Sequence, residues 1–204
     1  MKKLITMALM AACAAPGLAL ASTVDLDAFG SYGDAKFDNG YSPSGGGGGI
    51  RARVNVPFTT AFFTGEYQSN KMDDSSFTPS HVTLDDTRVG VGSEISAGPL
   101  SVFGRAEYVH MAFKPDTFPT DNSDGYGLHV GVDAGVGIAG VYGSAGYVHT
   151  SDTKGPELLV GGRVTLLPLV QLFAEYRYTE LNDNNGSNND GHLNDYRAGV
   201  RVSF

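Results

Sequence analysis

Among the 204 residues, those with most chemistry to offer are eight arginines and a matching set of carboxylates, and their spacing is regular. Arg51, Arg53, Arg88, Arg105, Arg163, Arg177, Arg197 and Arg201 all fall inside runs that alternate apolar and polar residues. Asp25, Asp27, Glu66, Asp86, Glu94, Glu107, Asp133, Glu175 and Asp195 fall on the same polar side of such runs. A guanidinium is a planar fork that binds a carboxylate at two points, so the two sets can pair. Eight cations against nine anions leave that side close to neutral. Two chemistries follow, a packed ion-pair network or the lining of a narrow polar path for small ions or solutes.

The chemistry of a nucleophile or a metal is thinner. His149-Thr150-Ser151-Asp152 places a histidine two residues before a serine, and Asp85-Asp86 lies near His81. His129 and Asp133 stand four residues apart on one face of a run. The Asn/Asp-rich stretch from Asn182 to Gly191 offers oxygens, but lacks the calcium-loop pattern and its bidentate glutamate. None of these assembles a complete site. The expectation is no enzyme, no cofactor and no metal.

What must position the charges is a set of strands. Glycine is abundant, tryptophan is absent, and Gly/Pro/Asn/Asp clusters recur at short intervals, the signature of many short strands. Ten are expected, at about 23–33, 49–56, 61–69, 84–96, 100–112, 125–137, 140–150, 157–166, 169–180 and 194–204, with eight as the alternative. Tight turns at Pro57 to Thr60, Ala97-Gly98-Pro99, Ile138-Ala139 and Leu167-Pro168 alternate with longer polar loops. Those loops are expected at about 34–48, 70–83, 113–124, 151–156 and 181–193, with Gly45 to Gly49 a flexible run.

Every run repeats an apolar side opposite the charges, and the chain holds too little other apolar material to cover it. Lipid is the simplest solvent for that side, and the charged side then lines a closed barrel. Val132 should point at lipid and its neighbour Gly131 into the lumen, where a small side chain would be tolerated. Inward Gly90, Gly92, Gly127, Gly131, Gly135, Gly161 and Gly199 leave room either for a path or for large neighbours. Faces assigned from charge alone put Tyr32, Tyr67, Tyr108, Tyr126, Tyr147, Tyr176, Tyr178 and Tyr196 on the lipid side near the loops, as an interfacial girdle requires. A weak internal repeat relates residues 102–110 to 141–149, both upward strands, as a shared need for a small lipid-side residue before a girdle tyrosine would produce, with duplication of a hairpin the alternative.

Lys2-Lys3, the apolar stretch Leu4 to Ala12 and the Ala19-Leu20-Ala21 site form a secretory signal peptide over residues 1–21, leaving a single barrel domain at 22–204. The sole cysteine, Cys13, leaves with it, so no disulfide is expected. Without Lys2 and Lys3 the net charge of −8 becomes −10, which argues against a nucleic-acid partner.

The chain ends Tyr196-Arg197-Ala198-Gly199-Val200-Arg201-Val202-Ser203-Phe204. A final phenylalanine after alternating apolar residues resembles the assembly signal of bacterial outer-membrane proteins, carried here by Tyr196, Val200, Val202 and Phe204. With the signal peptide, this makes the mature chain similar to the small outer-membrane β-barrel (porin-like) superfamily. The resemblance implies an all-β, transmembrane, antiparallel up-and-down barrel in a Gram-negative outer membrane, exported through the periplasm. Its implied partners are outer-membrane lipid and the barrel-assembly machinery. The expected role is a structural barrel or a narrow porin-like pore. The alternative is an adhesion barrel acting through acidic outer loops. The His149-x-Ser151 spacing also resembles that of outer-membrane lipid A deacylases, but the matching acid position holds Gly161. Outer-membrane proteases resemble the chain in strand number, with Asp85-Asp86 a weak counterpart of their paired acids.

Overall fold

The computed structural model describes residues 24–74, 81–116, 119–184 and 190–204. The segment expected as a signal peptide lies outside them, as do the loop aromatics Phe77 and Phe118 and part of the Asn182 to Gly191 stretch.

Ten antiparallel strands close into one barrel, each bonded to its sequence neighbours and β1 to β10. They are β1 Val24–Phe37, β2 Ser44–Asn55, β3 Ala61–Asp73, β4 His81–Ala97, β5 Leu100–Pro115, β6 Asp121–Val136, β7 Ala139–Thr150, β8 Thr153–Leu167, β9 Val170–Asp183 and β10 Gly191–Ser203. The count of ten holds and eight does not. At the closing seam Val24 and Phe204 exchange both backbone hydrogen bonds, at 3.1 and 2.9 Å.

The tight turns stand within one residue of the expected places, the last two being Gly137-Ile138 and Pro168-Leu169. Gly98-Pro99 and Gly137-Ile138 join strands whose flanking residues pair directly, and each glycine carries a positive φ, 62° and 60°. Glycine at the first central position is what a two-residue hairpin of the right twist needs.

The other end corrects the expectation. The strands run further toward the outer loops than the sequence suggested. β1 continues to Phe37, β3 to Asp73, β5 to Pro115 and β9 to Asp183, while β4 and β8 start at His81 and Thr153. The loops shrink accordingly, and only Ser151 and Asp152 separate β7 from β8. The Gly45 to Gly49 run is not a flexible loop but the outer half of β2, paired with both β1 and β3. A β-carbon on Gly47 would lie 1.9 Å from the Ser69 carbonyl oxygen, so glycine lets β2 bend against its neighbour there.

The outward faces are as read. Val89, Val91, Ile95, Val102, Leu128, Val130 and Val132 are exposed, and so are Tyr32, Tyr67, Tyr108, Tyr126, Tyr147 and Tyr196. Tyr176 rests on Tyr196, ring centroids 5.1 Å apart, and Tyr178 on His192 at 5.7 Å. From the turns up to this tyrosine ring, each strand presents apolar side chains outward. Exposed apolar surface on this scale needs lipid as its solvent.

Candidate functional site in the barrel lumen

Strand alternation sends every second side chain inward, and the inward set sorts into three levels.

Nearest the turns, Asp25, Arg53, Asn55, Glu94, Asp133 and Arg163 line a wet vestibule. Arg163 holds Asp133 with both terminal nitrogens, and Arg53 pairs with Glu94. These side chains remain 20–27% exposed.

At mid-height the acids and Arg88, Arg177 and Arg197 are buried, while Arg51, Arg105 and Arg201 keep 12–20% exposure toward the vestibule. Arg88 grips Glu157 with two bonds of 2.8 and 2.9 Å, reaches Glu107 at 3.1 Å and turns its Nε to Asp86. Arg177 donates to Glu66 at 2.8 Å, and Arg197 shares that same oxygen at 2.9 Å. Arg197 also bonds Asp195 through Nε. Arg51 bridges Asp27 at 2.7 Å and both oxygens of Glu175 at 3.1 and 3.2 Å, and Arg201 closes on Asp27. Arg105 meets Glu107 at 2.9 Å. Side chains of Arg88, Arg177 and Arg197 are only 1–3% exposed. Such a layer is stable only because each charge faces several opposite ones, since desolvation alone would cost several kcal/mol per ion.

The sequence reading brings these arginines and acids to one face but leaves out Glu157. It is a hub, bound by Arg88 and Thr179 and 3.2 Å from His129 Nε2. The signal was available: residue 157 opens the expected strand 157–166 and shares the parity of Arg163.

Aromatic rings fill what the charges leave. Phe29, Phe62, Phe103, Phe173 and Tyr142 all point inward, with Arg197 over Phe29 at 5.1 Å and Arg53 over Phe62 at 3.9 Å. All of these rings but Phe173 lie against a glycine. A β-carbon on Gly92 would be 2.3 Å from Phe62 Cζ, one on Gly131 2.3 Å from Phe103 Cζ, and one on Gly161 2.5 Å from Tyr142 Cζ. These inward glycines therefore make room for large neighbours, not for a path. The expectation that Gly131 tolerates a side chain is overturned for the same reason.

Above the tyrosine ring the lumen turns apolar. Ala35, Met72, Val82, Leu84, Met111 and Leu181 are buried there, with Phe37, Phe113 and Leu193 packed against them.

The sequence matches the family of the outer membrane protein beta-barrel domain over residues 5–204. The chain belongs to that family. Among curated proteins none matches it. Two solved structures share the fold. Neisserial surface protein A is 18% identical, with 89% of this chain and 97% of that one covered and a TM-score of 0.53. The beta domain of the Bordetella autotransporter BrkA is 11% identical, with 90% and 99% covered and the same TM-score of 0.53. This outer-membrane barrel therefore sits in lipid, apolar face outward and charges inside.

The other chemical candidates separate in space. His149 faces outward and packs on the Tyr126 ring at 5.4 Å, whereas Ser151 bonds Asp152 and Ser123. Asp85 and Asp86 point to opposite sides: Asp85 pairs outside with Lys114, and Asp86 inside with Arg88. His81 pairs with Asp73 in water above the membrane, and that hydrogen bond holds its imidazole above the ordinary histidine range. His129 does not meet Asp133, which is bound to Arg163; it lies between Glu107 and Glu157. Those three offer ligand atoms within 4.8 Å of one another. A metal does not suit the set, because Arg88 Nη1 already donates to both glutamates from the cation's position.

Proposed function

We propose that this protein is a non-enzymatic outer-membrane barrel whose lumen is closed at mid-height, a rigid support for its outer end and not a diffusion pore. The observation that carries this reading is the buried layer around Arg88, Arg177 and Arg197, with side chains at 1–3% exposure and carboxylates on every side. The vestibule below it and the cavity above it share no lining residue. Ten strands enclose little more space than eight, which side chains can fill, whereas aqueous channels need about sixteen.

Planar-bilayer recording on refolded protein tests the reading. The wild type is expected to stay silent, and Arg177→Ala to raise conductance by opening the layer. Steady, ion-selective conductance of the wild type would reverse the proposal in favour of a narrow pore. Export through the periplasm and insertion by the assembly machinery, with Tyr196, Val200, Val202 and Phe204 as the signal, belong to the same proposal. Phe204 and Tyr196 are exposed on the outer surface of β10, where a receptor can reach them.

A further inference from the structure

The apolar upper level is not packed solid. It surrounds a cavity of about 260 Å³ that opens toward the outside, lined by Ala35, Phe37, Met72, Leu84, Met111 and Phe113 among others. Protein cores are packed as densely as organic crystals and seldom hold voids larger than a water molecule. Hydrocarbon walls also give water few partners, so a cavity of this kind does not need solvent to fill it. The rest of the inward surface shows that the chain can fill its lumen, since Phe29, Phe62, Phe103 and Tyr142 each lie against a glycine that leaves them room. The vacancy above is therefore a site.

The lining also states what fits. Among the described residues around the cavity, only Asp121 and Asp152 carry charge, and both are carboxylates toward the outer mouth. The lysines at this level, Lys36, Lys71, Lys114 and Lys154, stand on the opposite parity and are exposed on the outside. Ser123 and Thr153 add hydroxyls to the wall. An apolar shaft under a pair of acids matches a hydrocarbon tail with a cationic head.

We propose that the outer end of the barrel binds a single-tailed amphiphile bearing a cationic head, tail down among Met72, Leu84 and Met111, head at Asp121 and Asp152. This rests on the lumen being closed beneath the cavity, so that the charged layer forms its floor.

The chain supplies its own reporters. After Met10 its only methionines are Met72 and Met111, and both line the cavity. Methyl-labelled methionine spectra of the protein in phosphatidylcholine nanodiscs would be titrated with dodecyltrimethylammonium and with dodecyl sulfate. The two methyl signals are assigned by Met72→Leu and Met111→Leu. Dissociation constants are referred to free aqueous probe. Both signals are expected to shift and saturate with the cation, with affinity rising about fourfold per methylene from octyl to dodecyl. The sulfate should bind roughly fivefold more weakly or less well still, and Asp121→Asn with Asp152→Asn should erase that difference while leaving tail binding. Ala35→Phe should fill the cavity and abolish both responses, its folding checked by heat-modifiable gel migration.

No saturable methionine response overturns the proposal. Equal affinity for cation and sulfate overturns the assignment of the head. Contacts from either methyl to the rings of Phe77 or Phe118 in unliganded protein would mean the chain fills its own cavity, and would overturn it too. A conducting wild type with intact methionine binding would sink the closed-lumen reading alone, so the two failures are distinguishable.

Discussion

The barrel is two proteins stacked end to end, and the tyrosine ring is the border. Below it, Val89, Val91, Val130 and Val132 face out while Arg88, Glu107, Glu157 and Arg177 face in. Above it, the polarity inverts on the same strands. Met72 and Leu84 face in, while Lys71, Asp85 and Lys114 face out. β3 shows the switch along one strand, with Glu66 and Gln68 inward, then Asn70, then Met72. The cause is the solvent. In lipid the outer face must be apolar, so the polar residues go inside and must satisfy one another. In water the ordinary hydrophobic effect returns, and the apolar side chains seek the interior. Alternation of period two carries straight through the tyrosine ring on β3; only the chemistry assigned to each parity changes there.

The largest expected effects lie in the buried charge layer. Arg88→Ala strands Glu157, Glu107 and Asp86 without their shared partner and should cost ~3–5 kcal/mol in reversible unfolding from lipid. Arg53→Ala, in the wet vestibule beside Glu94, should cost under ~1 kcal/mol. Equal losses would show that water reaches both levels alike, and that the mid-height layer is not a plug.

Next come the two apolar faces, which should fail in different ways. Val132→Arg puts a charge into lipid and should cost ~2–4 kcal/mol at mid-membrane. Met72→Ala removes a buried side chain above the membrane and should cost about 2–5 kcal/mol through the cavity left behind. The first loss should depend on bilayer thickness and the second should not. If Met72→Ala proves as sensitive to the lipid as Val132→Arg, the tyrosine ring has been placed too low and the upper level lies in the membrane.

Gly131→Ser comes third. Its new β-carbon would meet the Phe103 ring and the Gly143 carbonyl oxygen, so overpacking should cost about 1–3 kcal/mol. In a Phe103→Leu background the penalty should fall, and a double-mutant cycle reads the coupling. Strict additivity would mean that the glycine serves backbone bending and not the ring.

This residue also marks the limit of what was legible in the sequence. Strand count, antiparallel order and both faces of the membrane part could be read because inward charges alternate with outward apolar side chains along most of it. The pairing of Gly131 with Phe103 could not, since it depends on the register between β5 and β6, which no single strand encodes. The upper level was hidden by a different cause. The reading used charge to mark the inside, and at Ala35, Met72, Leu84 and Leu181 the inside carries no charge. Those segments then look like loops with stray apolar residues. Counting parity onward from Glu66 to Met72, or back from Arg163 to Glu157, would have recovered both the apolar chamber and the missing hub acid.

The smallest effect belongs to the outer surface above the border, where water screens every pair. Lys114 bonds Asp85 on the outside of β4 and β5, and its side chain is 47% exposed against 12% for the acid. The partly covered carboxylate gives the pair some weight, but the long lysine loses rotamer freedom in holding it. Lys114→Ala should therefore cost less than ~1 kcal/mol at low salt. Raising the ionic strength toward 1 M shortens the screening length to about 3 Å and should remove most of that loss. The same salt change should leave the cost of Arg88→Ala nearly untouched, because ions do not enter a layer whose side chains are 1–3% exposed. Measured together across salt, the two substitutions read the dielectric difference between the inside of the membrane part and the outside of the upper part. Parallel salt curves would mean that the interior is hydrated, and the contrast between the two halves would then be one of residue type alone.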